Sequence, residues 1–290
     1  MFSISREFTF FGPTAVLVAV LSSPVGMQAR ELKAVLAPHR HRPVSVRHVR
    51  DDGTADSTNW SGYAVTGANG SVTSVSGSWI VPASTCSKGS AAEYASFWVG
   101  IDGWTSSTVE QIGTDSDCAN GKPSYYAWYE FYPEPSYYAG KLTNLTPGHT
   151  MSATVSYDAA NNQFTATITD ETEPSLSFTT TFTPNRRTGT PSRSSAEWIA
   201  EAPSGSRGVL PLADFGTVYL GQDYTSPLLA DSNTCSATIG GVTGPIGSFD
   251  AANVWSSTMV SERTDVPMAT PSALSNDGSS FLVTWYSVGP

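Results

Sequence analysis

The chain has 290 residues, a formal net charge of −10 at neutral pH, and only 14% charged residues. From Ser57 onward eight basic side chains stand against twenty carboxylates, so no basic patch remains for a phosphate backbone, which disfavours nucleic-acid binding. Beyond the N-terminus no stretch is apolar over the roughly 20 residues that a membrane-spanning helix needs.

The N-terminus carries Arg6, an apolar run from Phe8 to Leu21 and a small-residue cleavage site at Met27-Gln28-Ala29. That layout predicts a secretory signal peptide over 1–29 and an exported protein. Residues 30–56 are basic and lack aromatics: Arg30, Lys33, Arg40, Arg42, Arg47 and Arg50 alternate with His39, His41 and His48. A basic leader on an acidic body is expected to be a propeptide held partly by charge, removed by cleavage between Arg50 and Ser57. Residues 57–290 then form one domain, long enough for a single well-buried core. Its low charge limits self-repulsion in acid, where carboxylates are protonated.

Within that domain period-two segments recur at 71–81, 94–101, 124–132, 150–157, 164–170, 176–182, 197–201, 218–220 and 281–288, bounded by Gly, Pro, Asn and Asp. Short strands of this spacing predict an all-β, antiparallel sandwich or barrel, with Asn161-Asn162 as a hairpin turn. On the strand 124–132, Tyr126, Trp128 and Glu130 share one face, and Ala127, Tyr129 and Phe131 share the other. On 197–201, Glu197, Ile199 and Glu201 share a face. Of the cysteines, Cys86 and Cys118 are expected to bridge the loop before the Trp98 strand to the loop after Gln111. Cys235 is then unpaired, or replaces one of the two.

Elimination narrows the chemistry. Beyond the leader His149 is the only histidine, in a turn-like Thr-Pro-Gly-His, which disfavours Ser-His-Asp or Cys-His catalysis. No His-Glu-x-x-His or paired-cysteine pattern supports a zinc site, and no Gly-rich phosphate loop exists. Carboxylates, amides and aromatics remain.

Five segments stand in order: Asn59-Trp60-Ser61-Gly62-Tyr63, Phe97-Trp98-Val99-Gly100-Ile101-Asp102-Gly103, Val109-Glu110-Gln111-Ile112-Gly113-Thr114-Asp115, Tyr126-Ala127-Trp128-Tyr129-Glu130 and Ala196-Glu197-Trp198-Ile199-Ala200-Glu201. Together they resemble the glutamic peptidases (the eqolisin, or G1, family) over roughly 57–290. The resemblance implies a two-sheet, concanavalin- or lectin-like β-sandwich with the cleft on a concave face, and a secreted acid endopeptidase made as a zymogen. It makes Gln111 and Glu197 the catalytic pair, and puts Trp60, Trp98, Asp102, Asp115, Trp128 and Glu130 at the substrate groove. It implies no metal and no organic cofactor. The expected partners are polypeptide substrates and the chain's own propeptide, and the protein is read as a monomer. Chemically, a glutamate near its ordinary pKa of about 4 can take a proton from water and return it to the leaving amine. A glutamine amide stays a neutral donor in acid and suits the developing oxyanion. The sequence departs from the family at the loop 104–108 and over 222–254.

Two rival functions fit an aromatic groove on such a sandwich. One is a glycoside hydrolase using Glu197 with Glu130 or Glu201, and the other a non-catalytic carbohydrate-binding module. Neither requires Gln111 beside its carboxylate partner.

Overall fold

The structure is a computed structural model and describes residues 34–89, 91–225 and 234–290. The expected signal peptide, 1–29, lies outside the described residues, as do the first four positions of the basic segment. In chain order the strands are β1 (Val46–Val49), β2 (Thr54–Ser57), β3 (Trp60–Thr66), β4 (Val72–Ile80), β5 (Ser96–Ile101), β6 (Val109–Ala119), β7 (Lys122–Tyr132), β8 (Tyr137–Tyr138), β9 (Thr150–Asp158) and β10 (Gln163–Asp170). They continue with β11 (Ser177–Phe182), β12 (Ser195–Glu201), β13 (Ser204–Gly205), β14 (Gly208–Val209) and β15 (Thr217–Gly221). After the one-turn helix α1 (Gln222–Thr225) come β16 (Ser236–Ile239), β17 (Val242–Pro245), β18 (Val254–Val260), β19 (Pro267–Pro271) and β20 (Ser280–Trp285).

The ladder folds back on itself as two layers. One runs β8-β7-β6-β5-β12-β3-β18. From β18 the pairing turns through β19 into the second layer, β20-β15-β4-β9-β10-β11. All of these pairs are antiparallel; β2 joins β18 in parallel and carries β1 on its other edge. This is the expected antiparallel β-sandwich.

Alternation explains which residues go inside. In β10, Phe164, Ala166 and Ile168 are buried while Thr165, Thr167 and Thr169 are less covered, the period of a half-buried strand. The turn into it places Asn162 at φ +49°, a left-handed conformation that Asn tolerates. Between the layers Phe97, Val99, Ile112, Ala127 and Trp198 meet Val75, Trp79, Met151, Val155 and Phe164. The two indoles at this seam also satisfy their N–H groups: Trp79 donates to Thr114 Oγ1 at 2.9 Å, and Trp198 to the Ser76 carbonyl at 2.7 Å. These two buried indoles thereby avoid the cost of an unmade bond, about 1–3 kcal/mol.

The odd-numbered side chains of β6, the even-numbered ones of β5 and β7, and Glu197, Ile199 and Glu201 of β12 point away from that core. Outside it, Trp60, Trp98, Val109, Tyr126, Trp128 and Ile199 form a second, separate apolar cluster. The first layer is therefore covered on both faces, and its outer face carries the site.

Cys86 and Cys118 form a disulfide, 32 positions apart, and Cys235 is buried and free. Closing a loop of this length removes about 3–4 kcal/mol of denatured-state entropy in the chain-entropy treatment. Replacing both cysteines by alanine is expected to lower the unfolding free energy by about that amount, measured by denaturant titration with and without reductant.

Candidate active site

Strand register decides which side chains meet. Gln111 on β6 lies opposite Glu130 on β7 and opposite Gly100 on β5, and Gly100 in turn lies opposite Glu197 on β12. Four residues along, Asp115 lies opposite Tyr126 and Ser96, and Ser96 lies opposite Glu201. Gly100 keeps the middle of this surface open. A Cβ there would stand 3.0 Å from the Trp98 ring and 3.1 Å from Gln111 Cβ.

The outer face is not bare. Residues 35–45 run across it, tied down by main-chain hydrogen bonds along their length. Tyr138 N–H donates to the Val35 carbonyl at 2.9 Å and Ala37 N–H to the Ser136 carbonyl at 3.0 Å. Arg40 and Ser204 exchange two bonds, and Val44 N–H donates to the Gly103 carbonyl at 3.1 Å. Asn59 accepts from Ser45 N–H at 2.8 Å and donates to the Pro43 carbonyl at 3.2 Å.

At the centre of this crossing lies the peptide bond between His41 and Arg42. Gln111 Nε2 donates to the His41 carbonyl oxygen at 2.6 Å, and Arg42 N–H donates to Glu201 Oε1 at 3.2 Å. On the His41 side, its N–H donates to Glu130 Oε2 at 2.7 Å. The His41 imidazole stacks on the Trp128 indole with centroids 3.4 Å apart and planes 2° apart, and its Nδ1 stands 3.4 Å from Glu201 Oε2. Trp98 Nε1 donates to that same oxygen at 2.8 Å.

Burial sets the electrostatics of this patch. It pushes the Glu201 carboxyl well above the usual carboxylate range, opposed by the Trp98 indole and reinforced by Glu130 and Asp115. It raises Glu130 to about 8, opposed by the His41 N–H and the Arg40 charge. Asp115 is likewise raised by burial and by the neighbouring Asp117, with His39 pulling the other way. Asp115 and Asp117 both accept from the Tyr126 hydroxyl at 2.8 Å, and His39 Nε2 lies 3.0 Å from Asp117. Among the described residues this His39, Asp115 and Asp117 group is the one whose ligand atoms, all within 4.8 Å, fit a metal ion. Its members are already linked by hydrogen bonds to one another and to Tyr126.

Of the residues named from sequence, Gln111, Trp98, Trp128 and Glu130 gather around the His41–Arg42 bond. Trp60 stands behind them, edge-on to Trp98 at 4.9 Å, and Asp115 lies at the neighbouring Tyr126 hydroxyl. Asp102 has a different place. At φ +74°, it accepts from Arg193 N–H at 2.6 Å and Ser194 N–H at 2.9 Å, clamping the chain that enters β12.

Glu197 also lies apart from the central bond. It is fully buried, neither carboxyl oxygen has a hydrogen bond of normal geometry, and its charged neighbours are Asp102 and Glu110. Four strand positions separate it from Glu201, roughly 13 Å at about 3.3 Å per residue. Sequence reading puts both glutamates on one face, which is correct. It chooses Glu197 to face the Gln111-held peptide; strand register does put Glu197 in the row of Gln111, across Gly100, but the Trp98 indole and the Arg42 N–H both bond Glu201. Asn59 and Ser204, which hold the crossing segment, are also missed. The Asn-Trp motif marks the first of these, and nothing local marks the second.

The Peptidase A4 family model matches residues 58–240. Aspergillopepsin-2 from Aspergillus niger is 33% identical over 180 residues, 56% of this chain and 62% of its own length. Scytalidopepsin B from Scytalidium lignicola is 28% identical over 201 residues, 66% of this chain and 72% of its own. The chain thus spans less than two thirds of aspergillopepsin-2. Among solved structures, scytalido-glutamic peptidase with a transition-state analogue inhibitor superposes with a TM-score of 0.61, covering 79% of this chain and 98% of that one. At 22% identity this likeness speaks for the fold. Aspergilloglutamic peptidase from A. niger gives a TM-score of 0.53 at 29% identity, over 67% of this chain and 99% of that one. Since the family match covers more than half of the chain and runs through the strands that carry Gln111, Glu130 and Glu201, the chain belongs to the Peptidase A4 family.

Proposed function

We propose that this protein is an exported acid endopeptidase of the glutamic type, with Gln111 and Glu201 as its catalytic pair. One observation carries the reading: the two side chains address the two ends of a single peptide bond, Gln111 at the carbonyl oxygen and Glu201 at the amide nitrogen. Peptide hydrolysis asks for a donor where negative charge develops and for a base that can later protonate the leaving nitrogen. Gln111 is the neutral donor. Glu201, once ionised, is a stronger base than an ordinary carboxylate because its site disfavours charge, and it hands the proton on toward the nitrogen it already touches.

Glu130 supports the pair. In acid its carboxyl is protonated and carries an O–H donor, and directly across the strand pair Gln111 Oε1 is buried without a partner, as is Glu130 Oε1. A bond between them would aim the Gln111 N–H at the substrate carbonyl. The groove's occupant is a peptide held by main-chain bonds, which favours a polypeptide over a polysaccharide substrate. The signal-like sequence over 1–29 supports export, and the docked basic segment supports a zymogen.

The test is hydrolysis of a denatured protein from about pH 2 to 7 in the presence of a metal chelator. Acid activity is expected, and Gln111→Ala should lower kcat by about 10²–10³, the usual cost of one oxyanion donor. Absence of proteolysis at every pH, by folded protein, rejects the assignment.

A further inference from the structure

We infer that the chain's own leader is its first substrate, and that the bond it cuts is His41–Arg42. The inference rests on the peptidase reading above and adds the scissile bond, the new chain terminus and the pocket that selects it.

Position supports this first. Of the peptide bonds in the segment 35–45, His41–Arg42 is the one whose carbonyl meets Gln111 and whose N–H meets Glu201. A segment that merely blocked a groove could present any face to it. This one presents a carbonyl oxygen to the oxyanion donor and, across the same bond, the leaving nitrogen to the acid–base carboxyl. The grip is symmetric about the bond, with Arg40 paired to Ser204 before it, and Asn59 and Gly103 holding Pro43, Val44 and Ser45 after it. Backbone on both sides is thus fixed in the geometry that proximity requires.

The side-chain pocket points the same way. The residue before the bond fills a slot floored by the Trp128 indole, with the Glu201 carboxyl 3.4 Å from the ring's Nδ1, while Glu130 holds its main-chain N–H. His41 is fully buried in it. A flat, neutral ring suits that slot better than an aliphatic chain, since it stacks on the indole, and burial pushes the His41 imidazole well below its usual pKa.

The step balances with water as the only co-reactant. Water oxygen bonds to the His41 carbonyl carbon as Glu201, in its ionised form, takes one of its protons, and Gln111 N–H stabilises the oxyanion. The carbon–nitrogen bond then breaks as Glu201 passes that proton to the Arg42 nitrogen. The products are a carboxyl group at His41 and an amino group at Arg42. The piece ending at His41 is held by hydrogen bonds to Ser136, Tyr138, Ser204, Asp117, Glu130 and Gln111, and it leaves by breaking them. The piece beginning at Arg42 stays, because β1 pairs with β2 and β2 pairs with β18. The mature chain therefore begins at Arg42, upstream of the junction after Arg50 that the sequence suggests.

The experiment is acidification of the purified full-length chain, followed by intact mass and N-terminal sequencing, with a denatured protein added in parallel. The expected result is a new N-terminus at Arg42, formed about 10²–10⁴ times more slowly in Glu201→Gln. A synthetic peptide spanning residues 35–47 should be cut at the same bond by the wild-type protein. Digestion of the denatured protein with leader termini mapping elsewhere, or with the leader left intact, overturns this inference and leaves the peptidase reading standing. Failure to digest either substrate overturns both.

Discussion

Glu201→Gln is expected to lower kcat/KM on a denatured protein in acid by about 10²–10⁴, while Glu197→Gln stays within about tenfold of wild type. The two substitutions are chemically identical, four residues apart on one face of one strand, and both sites are fully buried. They differ in what lies within reach. Glu201 shares its oxygens between the Trp98 indole and a substrate-like amide, and exchange for an amide removes the carboxyl that touches the leaving nitrogen and can carry a proton to it. Glu197 faces Asp102 and Glu110, and burial already holds it in the neutral form that glutamine imitates. Steady-state kinetics on both variants, with circular dichroism to confirm folding, checks the assignment. A collapse of activity in Glu197→Gln with Glu201→Gln unimpaired would reverse it.

The second large effect is on stability, and its sign is opposite to that of most proteins. Glu130 would lose its proton near 4.5 in an unfolded chain and keeps it to about 8 when folded. Between those values the folded state holds the extra proton. The contribution is fully present below the lower value and is lost as pH rises toward the upper one. At about 1.36 kcal/mol per pKa unit, Glu130 alone makes the docked precursor about 4–5 kcal/mol less stable at pH 8 than at pH 4. For a domain of this size that is a fall in Tm of roughly 10 °C or more. Glu110, Glu197 and Glu201 are raised for the same reason, burial first, and act in the same direction. The Glu201→Gln background keeps the leader attached during the measurement. Adding Glu130→Gln, which imitates the protonated acid, should leave Tm at pH 4 nearly unchanged and recover Glu130's share of the loss at pH 8, the remainder belonging to Glu110 and Glu197. A Tm that is flat or rises with pH in the single variant would show that these carboxyls are solvated rather than buried.

The conflict between these groups also explains why the site works under a cover. Four of the carboxyls beneath the leader or beside it, Glu130, Glu201, Asp115 and Asp117, sit close together with few cations near. They are tolerated because most are neutral and because Tyr126, Trp98 and the leader's own N–H groups bond them. Each leader donor stands where a substrate amide would stand. The rival readings from sequence drew on the same aromatic groove, but both left Gln111 without work. Its bond to a peptide carbonyl, beside Glu130 rather than Glu197, is the feature they do not require.

Alternation along β4, β7, β9 and β10 is enough to read strands, their buried faces and an antiparallel sandwich, because the pleat repeats every two residues regardless of partner. Redox logic was enough to expect a disulfide and to offer Cys86–Cys118, but only the fold joins those two and leaves Cys235 buried and free. The motif around Gln111 pointed to the side chain that bonds the His41 carbonyl, one member of the proposed pair. Strands β18 and β19 were not legible: Val254–Val260 and Pro267–Pro271 lack a strict alternation, since they form the fold's hinge between layers and are partly covered on both sides. The choice between Glu197 and Glu201 was equally out of reach. Along a strand the two are equivalent by face, register aligns Glu197 rather than Glu201 with Gln111, and only the path of the leader, with its Arg42 N–H on Glu201, sets which one shares a peptide bond with Gln111. The leader tells the same story. Its charge announced a segment that would lie on an acidic body, but which of its bonds enters the site depends on hydrogen bonds to Ser136, Ser204, Gly103 and Asn59, residues scattered over nearly 150 positions and gathered only by folding.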